Sequence, residues 1–367
     1  MSPRLTIWTL VIMAAALLIL PATAQVVGER EEIAGVRFED FAGPSPDTAN
    51  FHTADGQLTF FFVTHNAGHP FFIPMFVAAE AAARTLGVNV IITGPERGVD
   101  DPDRQLEILQ QVITDPRLDG LVLSTAKVGA YGDIIMRAFE LGVPVATTNS
   151  VDSTIPFRDE ISHTGQSAGA AAIGGRALVQ CLIDKGITSG VILFPNSIEV
   201  NNIEVNNRVR FGAAAAQEAL DAAGLAGITV AAGDEGIGLA ITGVPGQPQI
   251  DAITNLVNST PNVVGLFGPN GGITPANGHV ARNLGISDST CVYGYDLGDD
   301  QLNLIGDGSL DGSLGQQPFL QGWWPVTTLF LQIDRGVSAA DLDTKAQLVT
   351  QANLEETLQN NATRRTN

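Results

Sequence analysis

Lysine is nearly missing from this chain. Only Lys127, Lys185 and Lys345 stand among 19 basic residues, against 39 acidic ones, and the formal net charge is −20. Such a balance repels phosphate backbones and anionic bilayers, which argues against nucleic acid or a charged membrane surface as a partner. An acidic, lysine-poor surface suits a salt-rich habitat, where repulsion is screened; biased genome composition leaves the same signature. Cysteine is scarce too, with Cys181 and Cys291 alone. Two cysteines cannot build a disulfide-dense scaffold, and no Cys/His grouping has metal-ligand spacing. Cys181 sits in an apolar helical pattern and Cys291 opens a strand. The reading favours two buried thiols, with pairing inside one lobe as the alternative.

Catalytic signatures are missing as well. The chain has no Gly-x-Ser-x-Gly elbow, no His-Glu-x-x-His and no dinucleotide fingerprint. The glycine-rich run Phe267–Thr274 lacks the lysine of a phosphate-cradling loop and reads as a turn into a helix. The five histidines are scattered; His65 and His69 lie together but have no acidic or thiol partner nearby in sequence. Asp299-Asp300 suits a helix N-terminus better than a catalytic pair. A carbohydrate-active enzyme with paired carboxylates therefore ranks below a binding role, and neither cofactor nor metal is expected.

What is present begins with an export signal. Arg4, the apolar stretch Ile7–Leu20 and the small residues Ala22-Thr23-Ala24 form a secretory leader over 1–24, cleaved before Gln25. The stretch is shorter than the ~18–20 residues of a membrane span, and none of spanning length follows. A periplasmic protein is expected. Residues 25–57 are charged and contain Pro and Gly, and read as an N-terminal arm.

The body alternates strand and helix. Strands are expected at Leu58–Thr64, Val88–Thr93, Gly120–Ser124, Pro144–Asn149 and Glu160–His163, with helical patterns between them. The alternation then repeats, with strands at Gly190–Phe194, Ile228–Ala232, Val263–Phe267, Cys291–Tyr295 and Ser313–Gln316, and a last β-like run at Ala346–Gln351. Two consecutive parallel α/β units follow, with a boundary near His163–Gln166. Ligands of such sheets bind beside the carboxyl ends of the strands. Residues collected there are mostly neutral hydrogen-bonding groups: Thr64, His65, Asn66, Ser124, Asn149, Asn270 and Gln316, with Asp296. The first loop adds His69 and the apolar pair Phe71-Phe72. That mixture suits a polyol, whose hydroxyls need hydrogen bonds and whose C–H face needs an aromatic ring. Packing of the first helix is the competing role for the phenylalanines, and one of the two is expected to take it.

Several segments, in order, carry a family likeness: THNAGHPFF, DPDRQLEILQQVI, DGLVLSTAK, GVPVATTNS, ISHTGQSAGAAA, NNRVRFGAA, LFGPNGG, VYGYDLGDDQ and DGSLGQQPFLQGWWPV. From about Thr59 to Val349 the chain resembles the periplasmic sugar-binding proteins of ABC importers, the type I fold of ribose-, galactose- and inositol-binding proteins. The resemblance implies two Rossmann-like α/β lobes joined by a three-strand hinge. The first would comprise 58–163 plus about 297–318, the second 164–296 plus about 319–353, followed by a tail over 354–367. It implies crossings near His163, Leu297 and Pro318. It also implies a sugar or cyclitol held by the Thr64–His69 loop, Phe71, Phe72, Ser124 and Asn149 from one lobe, and by Arg208, Asn270, Asp296 and Gln316 from the other. Partners implied are ABC permease subunits, with a chemoreceptor or sensor as the alternative. Ribose-type members carry Asp-Arg where this chain has Asn149-Ser150, and many carry Asn where His69 stands. Both departures favour a monosaccharide other than ribose, a cyclitol or another small polar metabolite. A contact from the loop Asp234–Gln247 is also expected. Related transcription repressors carry an N-terminal helix-turn-helix, where this chain has a leader.

Overall fold

The run Thr59–Val63 is apolar on both faces, as a strand covered on both sides must be. It forms β1 at the centre of a sheet. The computed structural model describes residues 57–98, 100–197, 202–233, 236–239 and 246–365. The expected leader, and all of the arm except Gln57, lie outside them. Among the described residues no helix is long and apolar enough to cross a membrane.

The chain runs β1, α1 (Ile73–Leu86), β2 (Asn89–Thr93), α2 (Pro102–Val112), β3 (Gly120–Leu123), α3 (Gly132–Glu140), β4 (Val145–Thr148) and β5 (Ser162–Gly165). It continues with α4 (Ala171–Asp184), β6 (Ser189–Leu193), β7 (Pro195–Ser197), α5 (Ile203–Ala223), β8 (Gly227–Ala231), β9 (Ile237–Leu239), α6 (Gln247–Ser259) and β10 (Val263–Gly268). Then come α7 (Ile273–Asn283), β11 (Cys291–Tyr295), α8 (Asp299–Gly306), β12 (Gly312–Gly315), α9 (Pro318–Arg335), β13 (Leu342–Asp343), β14 (Gln347–Thr350) and α10 (Leu354–Arg365). One sheet has the order β13-β5-β4-β3-β1-β2, the other β14-β12-β11-β10-β6-β8; only β14 runs antiparallel to its neighbour. β7 and β9 form a small parallel pair.

Side chains alternate across each sheet. Phe60 and Phe62 pack on Met75 of α1 and Val326 of α9, while Phe61 and Val63 face Leu109 of α2 and Ile135 of α3. In the second lobe Ile192 and Phe194 meet α4 and α5, and Leu193 and Leu266 meet α7 and α8. Helix starts follow the sequence signals: Asp101 caps α2, accepting from Arg104 N–H at 3.0 Å, with Pro102 in first position. α8 begins at Asp299, as the acidic pair indicated.

The C-terminal third corrects the expected lobe bounds and crossings. Residues 297–315 belong to the second lobe, because β12 pairs with β11 (Tyr293↔Gly312, Tyr295↔Leu314). Helix α9 returns to the first lobe and packs on α1, so closely that a Cβ on Gly322 would overlap the Met75 carbonyl. β13 pairs with β5. The chain therefore crosses between lobes after Gly165, at Gln316–Pro318 and at Thr344–Lys345, and Leu297 is no crossing. Residues 354–365, expected as a tail, are helical. Finally, Cys181 and Cys291 are disulfide-bonded with Cα atoms 6.0 Å apart, not separate thiols. The packing of α4 across β11 brings them together over 110 residues of chain.

Candidate functional site

At the carboxyl ends of both sheets, loops from the two lobes face each other across a cleft. It encloses about 90 Å³ and is lined from both sides. Ten of the twelve expected residues line it: His65, Asn66, His69, Phe71, Phe72, Asn149, Arg208, Asn270, Asp296 and Gln316. Thr64 and Ser124 do not. Both are fully buried behind the first loop, because the β strands end one residue short of the rim.

The first-lobe wall grows out of β1. Ser124 Oγ accepts from the His65 backbone N–H at 2.9 Å and lies 2.7 Å from His65 Nδ1, so it fixes the imidazole. His65 Nε2 stands 3.7 Å from Asp100 Oδ1. Ser124, His65 and Asp100 do not form a hydrolytic triad: the hydroxyl sits on Nδ1 and is fully buried, and the carboxylate lies beyond hydrogen-bond distance of Nε2, while the imidazole and carboxylate line the cleft. Burial holds the His65 imidazole below the usual histidine range, although Asp100 pulls the other way. His69 Nδ1 accepts from Phe71 N–H at 3.2 Å and so starts the short turn that carries Phe71 and Phe72. Phe72 is buried, edge-on to His65 with centroids 5.2 Å apart, and also serves the core of α1. Half-buried Phe71 stands edge-on to Phe72 with centroids 5.2 Å apart and is the more available face. Asn149, at φ 62, donates to Gln321 Oε1 at 3.0 Å, tying the end of β4 to α9 at the hinge.

The second-lobe wall is a chain of polar groups. Arg208 on α5 lies with its guanidinium carbon 4.4 Å from the Tyr295 ring centroid. Its Nη1 donates to Pro269 O at 3.2 Å and Nη2 to Gln316 Oε1 at 2.6 Å. Gln316 Nε2 in turn donates to Asp296 Oδ1 at 2.6 Å. Asn270 Oδ1 accepts from Gly272 and Ile273 N–H at 3.0 and 2.9 Å, which turns the chain into α7 and leaves its NH2 as the group to offer. The glycine-rich run is thus the turn its composition indicated.

Sequence reading missed Asp100, Ser197, Asn202 and Glu204 in this lining. Asp100 accepts from Asn66 Nδ2 at 3.1 Å and from Asn202 Nδ2, across the cleft, at 2.9 Å. Ile203 N–H also reaches Ala126 O across the lobes at 3.0 Å. Asn202 caps α5 through Glu204 N–H at 3.0 Å, and Glu204 shares a helix face with Arg208 four residues on. That Asn-x-Glu-x-x-x-Arg spacing was the available signal. Burial raises the Glu204 carboxyl above the usual carboxylate range against the pull of Arg208. The expected contact loop 234–247 is described only at 236–239 and from 246.

Among the described residues, one group has metal-ligand proximity, Cys181, Cys291 and Asp311, and the disulfide consumes both thiols. What the cleft offers is a set of fixed donors and acceptors beside an aromatic wall, at a place where two lobes meet.

Comparison with known proteins gives the family and the fold. A curated relative, the xylose/arabinose-binding protein XylF of Sulfolobus acidocaldarius, is 27% identical over 313 residues, 80% of this chain and 71% of that protein. The fold matches the glucose-galactose binding protein GanP of Geobacillus stearothermophilus (TM-score 0.69, 17% identity, 81% of this chain and 99% of that one). It also matches an ABC transporter solute-binding protein of Burkholderia graminis in complex with D-arabinose (TM-score 0.67, 23% identity, 81% and 96%). The periplasmic binding protein domain model matches residues 60–336, about three-quarters of the chain, and the protein belongs to that family.

Proposed function

We propose that this protein captures a neutral monosaccharide, or a cyclitol of like size, between its lobes and delivers it to the permease of an ABC importer. The observation that carries the reading is the cleft itself. Phe71 and Phe72 supply an apolar wall from one lobe, and the Arg208–Gln316–Asp296 chain supplies directional polar groups from the other. A ring lying between them meets both its needs, and contacts from both lobes couple binding to closure about the three crossings. The xylose/arabinose-binding relative and the arabinose-bound neighbour put aldopentoses first in the panel. The leader expected over 1–24 from the sequence supports work in the periplasm by a mature chain that starts near Gln25.

The test is a thermal-shift screen of the mature chain against pentoses, hexoses, cyclitols and sugar acids. A ligand at about 100 times its dissociation constant stabilises by about 2.7 kcal/mol. Small-angle scattering with the best ligand should show a smaller radius of gyration. No shift with any sugar or cyclitol overturns the reading. Loss of uptake on gene deletion supports import; retained uptake with a lost response to the sugar assigns delivery to a membrane receptor instead.

A further inference from the structure

The two lobes bond to each other directly at the end of the cleft opposite their crossings. In the first sheet the crossings adjoin β5 and β13 at one edge, and β2 forms the other. Asp100 sits in the loop after β2. In the second sheet the crossings adjoin β12 and β14, and Asn202 follows β6 and β7, beside the opposite edge formed by β8. Neighbouring strands stand about 4.8 Å apart, so β2 lies about 19 Å from β5, and a rotation of about 10° about the crossings parts the lips there by about 3 Å. No hydrogen bond survives such a separation, so a bond at this lip belongs to the closed form alone.

Asn202 Nδ2 donates to Asp100 Oδ2 across the lip at 2.9 Å. Ile203 N–H donates to Ala126 O of the first lobe at 3.0 Å. An N–H in the first turn of a helix has no partner within that helix, which leaves this one for the facing lobe. Asn202 is buried and its acceptor is charged, which makes the bond stronger than one between two amides. Each partner is also braced from its own side. Asp100 Oδ1 accepts from Asn66 Nδ2 at 3.1 Å, and Asn202 Oδ1 accepts from Glu204 N–H at 3.0 Å. All four polar atoms of the pair therefore have protein partners.

Resting on the sugar reading above, we propose that Asp100 and Asn202 form a latch, a bond of protein to protein at the mouth of the cleft that sets how slowly a captured sugar leaves. The lobes must part before an enclosed ligand escapes, and the latch must break before they part. The bond is the same whatever lies behind it, so it slows the release of every ligand by one factor and leaves selectivity to the walls.

The test is a reversal of the bond. Asn202→Asp keeps the start of α5, because aspartate caps a helix as well as asparagine does; it also turns the donor into a second carboxylate facing Asp100. Adding Asp100→Asn restores the bond in the opposite direction, with the new amide NH2 donating to the new carboxylate and its oxygen still placed to accept from Asn66 Nδ2. Stopped-flow chase experiments with D-xylose, L-arabinose and D-galactose read the release rates. Asn202→Asp should speed release of every sugar that binds wild type by about tenfold or more, and by one common factor. The double variant should return release to within about threefold of wild type. A smaller acceleration in Asn202→Asp, an acceleration confined to one sugar, which marks direct contact with that sugar, or a double variant no slower than Asn202→Asp overturns the latch and leaves sugar binding standing. Should circular dichroism show Asn202→Asp unfolded, Asp100→Ala, which removes the acceptor from the first lobe, must show the same common acceleration. Failure of wild type to bind any neutral sugar overturns the sugar reading, and this proposal with it.

Discussion

Asp296 is the acceptor at the end of the Arg208–Gln316–Asp296 chain, and replacing it with Asn is the cleanest perturbation of the cleft. Its backbone sits at φ 73, in the left-handed region, which Asn tolerates far better than Ala. Asn also keeps the shape and can still accept from Gln316 Nε2, now 2.6 Å from Oδ1. What is lost is charge. Hydrogen bonds to charged groups contribute about 1.5–3 kcal/mol and neutral ones about 0.5–1.5, a difference of roughly 1–1.5 kcal/mol per bond. With two ligand hydroxyls on this carboxylate, Asp296→Asn should weaken sugar binding by about 2–3 kcal/mol, or roughly 30- to 150-fold in Kd. Titration calorimetry reads this directly, and thermal unfolding should be nearly unchanged because the Gln316 bond survives. Affinity within threefold of wild type would show that ligand hydroxyls do not reach Asp296 and that the chain only braces the second lobe.

Other consequences follow from the packing and the titrating groups. Replacing both Cys181 and Cys291 by Ala should lower the unfolding free energy in urea by about 2–4 kcal/mol, since the bond closes a 110-residue loop; an unchanged value would mean that α4 and β11 are held by apolar packing alone. Burial, reinforced by Arg158 and opposed by Asp341, holds His163 at about 4, below its ordinary 6.5. Unfolded His163 therefore takes up protons that the folded form refuses, so its contribution is complete above about pH 6.5 and is lost as the pH falls toward about 4. His163→Gln should flatten the stability–pH curve across that window, measured by urea titration; an equal slope would place the dependence on other groups. Gly322→Ala should destabilise by about 1–3 kcal/mol, because the new methyl overlaps the Met75 carbonyl where α9 crosses α1; a neutral result in thermal unfolding would mean that the helices separate freely.

The pattern of fully apolar strands and intervening helices was enough to give two parallel α/β units. Every strand of the two main sheets except β13 was expected from the sequence, most as runs of β-branched or apolar residues, β5 and β12 from their place in the alternation. Their ends pointed to His65, Asn66, Asn149, Asn270, Asp296 and Gln316, which line the cleft because in a parallel sheet all such loops open on one edge; the first loop added His69, Phe71 and Phe72, and the family resemblance added Arg208. Local signals also gave the Asn270 turn and the Asp299 helix start. The remainder depended on packing between distant segments. Which sheet takes β12, which lobe takes α9, and where the third crossing lies follow from pairing and helix contact with no local code. The joining of Cys181 to Cys291 needed α4 laid across β11. Thr64 and Ser124 matched the expected positions but lie one layer behind the rim. Asp100 and Glu204 entered the lining only when a loop after β2 met the capped start of α5 across the cleft. Sequence spacing fixes neighbours along one element; it takes the closure of two lobes to decide which polar groups face each other.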